Sequence, residues 1–378
     1  MKTYLSNIER FVWESVSDEE RIGMLNGLSG LALFYANILK QNPQEYQEKL
    51  IHIIEKVNEI ISTQDVLPSM CSGFSGYGIV LVNCQDSLTI DESYFESIDE
   101  LLFEFLLDDV KDKNYDLLHG AIGISLYFVE RYQAADNDRA KLILDNYFDQ
   151  LISDLTNHFD DVVRTKEIDG TQVYYFGIAH GVSGLINHII FLSNTLTKNT
   201  NAIHAVLKRL VEFLETFKTN ETFKYPNYHL IDKKASVQSR LSWCQGDMGI
   251  GNALINYGEF IMDDELKNEG ITLIRDAMEV PFNHTEINDF GICHGSSGVL
   301  LQYSLFLQKL ELEEDEIISF WKQKIIEQTK TYTKFKAFLR KEFVNETNIL
   351  EGASGLALTL LTVNKEINTN WLKCFNIN

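Results

Sequence analysis

An all-α ring of repeated helix pairs is the fold that three features of the sequence predict. Seven Gly-x-x-Gly tetrapeptides recur along the 378 residues, with first glycines at 27, 73, 120, 181, 246, 295 and 352, and each leads into an apolar run. Amphipathic segments lie between those runs. Only four prolines occur in the whole chain, as suits a mostly helical protein. A closed repeat array can bury one continuous interior over this length, so residues 1–378 are expected to form a single domain with repeats spanning about 20–362.

Each interval between first glycines, 46 to 65 residues, has room for two helices and their turns. The runs after the glycines, such as Leu31-Ala32-Leu33-Phe34-Tyr35 and Leu356-Ala357-Leu358-Thr359-Leu360, are too uniformly apolar for a surface helix. They predict inner helices. Residues 46–61 and 202–217 instead repeat apolar side chains at helical spacing, Ile203, Val206, Leu207, Leu210 and Phe213 in the second, and predict outer helices. Glycine at the mouth of an inner helix lets backbones approach closely, and is expected to leave helix N-terminal amides free to face a shared cavity. The two widest intervals carry residues 162–175 and 223–240, richer in polar and β-branched residues and including Pro226. These read as long loops or short strands near the cavity rim.

Composition narrows the function classes. A formal charge of -22 repels a phosphate backbone, which argues against nucleic acid as a partner. The same acidity can attract a cationic peptide, although acidic surfaces commonly serve solubility alone. Five cysteines without disulfide-framework spacing suit a reducing compartment. The segment from Met1 to Arg10 has no apolar signal core, and no stretch reaches about 18 apolar residues. A cytoplasmic protein without a secretion signal or membrane span is expected.

Chemistry concentrates at the glycine mouths. Cys244 precedes the fifth mouth, and Cys293 and His294 precede the sixth. Two thiolates and an imidazole suit zinc, and three protein ligands leave a fourth position open, as catalytic zinc requires. His180 and His119 hold the equivalent places at the fourth and third mouths, with Asp116 close to the third.

Four of these segments carry a family resemblance: Ser242-Trp243-Cys244-Gln245-Gly246, Gly291-Ile292-Cys293-His294-Gly295, Gly177-Ile178-Ala179-His180-Gly181 and Tyr115-Asp116-Leu117-Leu118-His119-Gly120. With the seven ordered tetrapeptides they make the chain resemble the lanthionine cyclases, zinc enzymes that close thioether rings in lanthipeptide precursors, and their C-like relatives. Ser183 and Ser297 stand where the family often has Ala. The resemblance implies an α/α toroid of seven inner and seven outer helices, with Zn2+ held by Cys244, Cys293 and His294. It also implies that a cysteine of a dehydrated precursor peptide, leader plus core, takes the open zinc position and adds to a dehydroalanine or dehydrobutyrine.

Such an addition needs proton transfer, because the thiol must lose a proton and the α-carbon must gain one. His180 is the expected general acid/base, with Asp116 as its partner or as a second acid/base group. Arg240 matches a family arginine, able to orient Asp116 or to stabilise the enolate oxygen. Trp243 reads as wall packing, Cys71 as buried filler, and His119 as the donor or acceptor of a structural hydrogen bond. Nothing in the chain resembles a dehydratase, so a separate dehydratase is expected. A transporter, and peripheral association with the inner membrane face through a biosynthetic complex, are implied by the resemblance alone. Two other readings compete: a relative that adds glutathione to dehydroamino acids, and a peptide-binding scaffold merely braced by zinc.

Overall fold

The computed structural model describes residues 2–377 apart from 86, 168, 332–334 and 340, and most of them are helical. The helices in chain order are α1 (Lys2–Ser15), α2 (Leu28–Ile38), α3 (Pro43–Thr63), α4 (Phe74–Asn83), α5 (Glu92–Lys111), α6 (Ala121–Ala135), α7 (Asp138–Asn157), α8 (Phe159–Val163), α9 (Val182–Thr195), α10 (Asn201–Glu215), α11 (Asp247–Ile261), α12 (Asp264–Met278), α13 (Ser296–Lys309), α14 (Asp315–Thr331) and α15 (Ala353–Val363).

Seven of them, α2, α4, α6, α9, α11, α13 and α15, begin directly after the first glycine of a tetrapeptide. They are the inner helices, buried without a break from Leu28 to Tyr35 in α2 and from Ala353 to Thr362 in α15. Outer helices are buried on one stripe: α10 hides Ile203, Val206, Leu207, Leu210, Val211 and Leu214, each full burial stabilising by about 1.5–3 kcal/mol. Phe213 is only half-buried, with its ring against Phe159 and Tyr174.

The mouths differ from expectation in one respect. At six of the seven mouths, first-turn amides of the inner helices do not open into a cavity; they donate to carbonyls seven residues upstream, as in Leu28 N to Arg21 O (2.8 Å), Ala121 N to Asn114 O (2.9 Å) and Ser183 N to Phe176 O (3.1 Å), while α11 shows no such bond among the described residues. Buried amides need partners, and the loop that folds back supplies them. This fold-back explains the glycines. A Cβ on Gly73 would sit 1.9 Å from the Leu67 carbonyl oxygen. Gly246 also has φ of +93°, a left-handed value that favours glycine.

By its contacts the chain falls into two compact units, Met1–Leu102 with Asn288–Trp371, and Phe103–Ile287 with Leu372–Asn378. In the first, α15 packs against α2 and α13, and α2 against α4, while α1, α3 and α14 cover α15, α2 and α13. Backbone bonds join the loops ahead of these helices: Cys293 N to Leu350 O, Leu350 N to Leu25 O, and Leu25 N to Cys71 O. A hairpin that the sequence pattern does not announce pairs Lys336–Leu339 with Glu342–Asn345.

In the second unit α9 packs on α11, and α7, α10 and α12 cover α6, α9 and α11. The two insertions meet in one antiparallel sheet of β1 (Arg164–Lys166), β2 (Gln172–Tyr175), β3 (Tyr228–Leu230) and β4 (Ala235–Val237), paired in that order. Short strands are thus the form the insertions take. The last residues thread back under α9 and α11: Trp243 Nε1 donates to Phe375 O (3.0 Å), and Asn376 Nδ2 to Gly184 O (2.8 Å). Trp243, fully buried against the Phe375 ring, is wall packing as expected.

Candidate active site

The third mouth folds around Asp116. Its Oδ1 accepts from the backbone amides of Leu118 and His119, both at 2.8 Å, a local turn that short acidic side chains favour. Its Oδ2 is left to face the fourth mouth and accepts from His180 Nδ1 at 2.7 Å. Asn114 steadies the same loop, donating from its side chain to Asp109 Oδ1 (2.7 Å), and burial pushes the Asp109 carboxyl up to about 6.

The pair is partly sheltered, with 30% of the His180 side chain and 17% of the Asp116 side chain exposed. Burial by itself would lower the His180 pKa, but neighbouring negative charge, the Asp116 carboxylate foremost, offsets it and the net direction is upward. Burial would likewise raise Asp116, yet His180 and the His119 amide hold it below the usual carboxylate range. A hydrogen bond from Nδ1 to a carboxylate fixes the tautomer and leaves Nε2 as the basic nitrogen of the neutral ring.

A cavity of about 580 Å³ opens beside this pair, lined among others by Asp116, His119, His180, Glu167 and Tyr175. His119 makes no side-chain hydrogen bond among the described residues; its ring stacks on His180 with centroids 6.1 Å apart. That corrects the expected structural hydrogen bond, because the exposed ring finds a flat neighbour across the mouths instead. Arg240 lies between β4 and the fifth mouth, and among the described residues no hydrogen bond or ion pair links its guanidinium to Asp116.

In the fifth mouth Cys244 is buried, its Sγ 3.7 Å from Ser242 Oγ, and its carbonyl accepts from Ala179 N at 3.2 Å. A Cβ on Gly177 would sit 2.3 Å from that carbonyl, so glycine lets the His180 loop lie against the Cys244 loop. In the first unit Cys293 and His294 precede α13, and His294 Nδ1 lies 3.5 Å from Glu351 Oε1. Asp289, His294 and Glu351 form one group there, with candidate ligand atoms within 4.8 Å of one another. Sequence reasoning passed over Asp289 and Glu351. A signal existed for the second, since Glu351 holds the place at the seventh mouth that His294 holds at the sixth.

The family pattern described as lanthionine synthetase C-like protein matches residues 18–376, nearly the whole chain. The chain belongs to the lanthionine synthetase C-like family. Among solved structures, nisin cyclase resembles it with a TM-score of 0.79 at 20% sequence identity, over 100% of this chain and 98% of that one. The likeness shows the fold, which is the α/α toroid class that the sequence analysis predicts. No curated protein sequence matches the chain. Within this lanthionine synthetase C-like chain, no helix among the described residues is long and apolar enough to cross a membrane.

Proposed function

We propose that this member of the family is a zinc-dependent lanthipeptide cyclase. The observation that carries the reading is the Asp116–His180 hydrogen bond of 2.7 Å at the edge of a cavity. Cys244, Cys293 and His294 are assigned as the zinc ligands, two thiolates and one imidazole being a donor set that zinc favours. Bound there, zinc would lower the pKa of an incoming thiol and hold it as a thiolate at neutral pH.

The protein's own groups supply the proton transfers. His180, with Nδ1–H directed to Asp116, takes the thiol proton on Nε2. The sulfur then forms a bond to the β-carbon of the dehydro residue as the carbon–carbon π bond opens into an enolate. His180 returns a proton to the α-carbon, so the addition is balanced with no leaving group. Asp116, already accepting three hydrogen bonds, orients the ring and stabilises its cationic form. Arg240, with a fixed positive charge, is assigned to stabilise the enolate oxygen or to orient Asp116. The substrate would be a dehydrated precursor peptide, supplied by a separate dehydratase, in a cytoplasmic assembly with a transporter.

The test is ring closure on a synthetic peptide carrying one cysteine and one dehydroalanine, with wild type and His180→Ala compared. Lost turnover with one zinc per chain retained supports the assignment. Unchanged turnover, or faster consumption of free glutathione than of the peptide's own thiol, refutes it.

A further inference from the structure

We infer that Tyr175, clamped by Glu167, is a positioning residue for His180, and that holding it is what the first insertion contributes to the reaction. The inference rests on His180 being the proton-transfer group. Tyr175 ends β2 at the wall of the cavity, its ring centroid 5.8 Å from that of His180 with the planes at 51°. Its hydroxyl donates to Glu167 Oε1 at 2.7 Å. Its cross-strand partner is Tyr228, whose ring sits 5.6 Å away, edge-on.

Each end of the clamp is itself fixed. Glu167 belongs to the β1–β2 turn, closed by Glu167 N to Thr171 O and Gly170 N to Glu167 O, both 2.8 Å, with Gly170 at φ of +84°. The strand end is pressed against the fourth mouth, where a Cβ on Gly181 would lie 2.4 Å from the Tyr175 carbonyl. His180 needs such a stop. Asp116 holds only its Nδ1, and a single hydrogen bond leaves an imidazole free to swing about it, carrying Nε2 out of line with a substrate proton. His119, the other ring beside it, is exposed on its own loop.

Tyr175 does not serve as the acid. Burial, reinforced by Glu167, raises its hydroxyl pKa well above the ordinary value, so the proton stays on oxygen and is committed to Glu167. Its role is therefore exercised through the His180 ring.

The experiment uses the zinc-loaded full chain and the same cysteine–dehydroalanine peptide, comparing Tyr175→Ala, Tyr175→Phe, Val173→Ala and His180→Ala. Val173 is buried on the same strand, pairs with Leu230, and reports on strand packing alone. Tyr175→Ala is expected to lower kcat by about tenfold or more, with KM within about twofold and zinc content unchanged. Tyr175→Phe, which keeps the ring but loses the hydrogen bond to Glu167, should recover only part of that loss, and Val173→Ala should stay near wild type. A wild-type kcat in Tyr175→Ala, or an equal loss in Val173→Ala, overturns the inference while leaving the proton-transfer reading intact if His180→Ala is inactive. An active His180→Ala overturns both.

Discussion

Replacing Asp116 with Asn keeps an oxygen for the Leu118 and His119 amides but presents an amide group, a donor, to His180 Nδ1–H. The charge-assisted hydrogen bond at 2.7 Å is lost. Such bonds contribute about 1.5–3 kcal/mol, and about 2 kcal/mol corresponds to a rate loss of about 30-fold if all of it is felt in the transition state. The pH dependence moves in a defined direction. Asp116 is the largest of the influences that lift His180 above its ordinary pKa against burial, so removing it lowers that pKa. Turnover that needs neutral His180 should decline in wild type as pH drops through that raised pKa, and Asp116→Asn should carry this acid limb to lower pH. Stability follows with opposite signs for the two partners. The raised His180 contributes stability below its unfolded pKa and loses it as pH rises through the folded value. The lowered Asp116 contributes above its unfolded pKa and loses it as pH falls through the folded value. Asp116→Asn should therefore cost most stability in the mildly acidic window where both groups are charged. Thiol-loss kinetics across pH, with NMR titration of the His180 ring, measure all of this. An unshifted acid limb with a rate within about twofold of wild type would refute the reasoning.

Other expectations follow from packing and ligation. Cys293→Ala should lower zinc occupancy at least about tenfold in a competition with a chelator while the helical circular dichroism persists; full occupancy would remove Cys293 from the ligand set. Gly246→Ala meets both a φ of +93° and the Arg240 carbonyl at 2.6 Å, and should destabilise by about 1–3 kcal/mol or more in urea unfolding. Trp243→Ala should cost about 3–5 kcal/mol by emptying a fully buried site and orphaning the Phe375 carbonyl. His188, pulled by burial to about 3 and bonded to Ser125 and Tyr147, should show no NMR titration between pH 5 and 8.

The inner helices were legible because each combines a mouth glycine with a run such as Leu31 to Tyr35, which has no polar face to offer solvent. The outer helices were legible from periodicity, and in α10 Val211 and Leu214 join the buried stripe that Ile203 to Leu210 mark out, with Phe213 half-buried. The strands were not. At three or four residues each, β1 to β4 are too short for an alternation to show, and their pairing depends on a partner some 55 residues away that no local pattern names. The same limit applied to the site. Residue type and position at the mouths singled out His180 and Asp116, whereas their contact across 64 residues, the stacking of His119 and the approach of Tyr175 arise only from how the mouths pack.

The threading of Phe375 and Asn376 beneath α9 and α11 bears on how the protein is made. The second unit draws on residues 103–287 and again on the last few, while the first draws on residues up to 102 and from 288 to 371. A ribosome emits these pieces in order, so α2 must wait for α15, and Trp243 for Phe375. Until Trp371 and Phe375 have emerged, neither unit has all its parts, and several buried inner helices lack their final cover. Such long-range closure is slow and prone to aggregation. Both units are accordingly expected to close only after these late residues emerge, with nascent chains arrested before residue 370 remaining protease-sensitive.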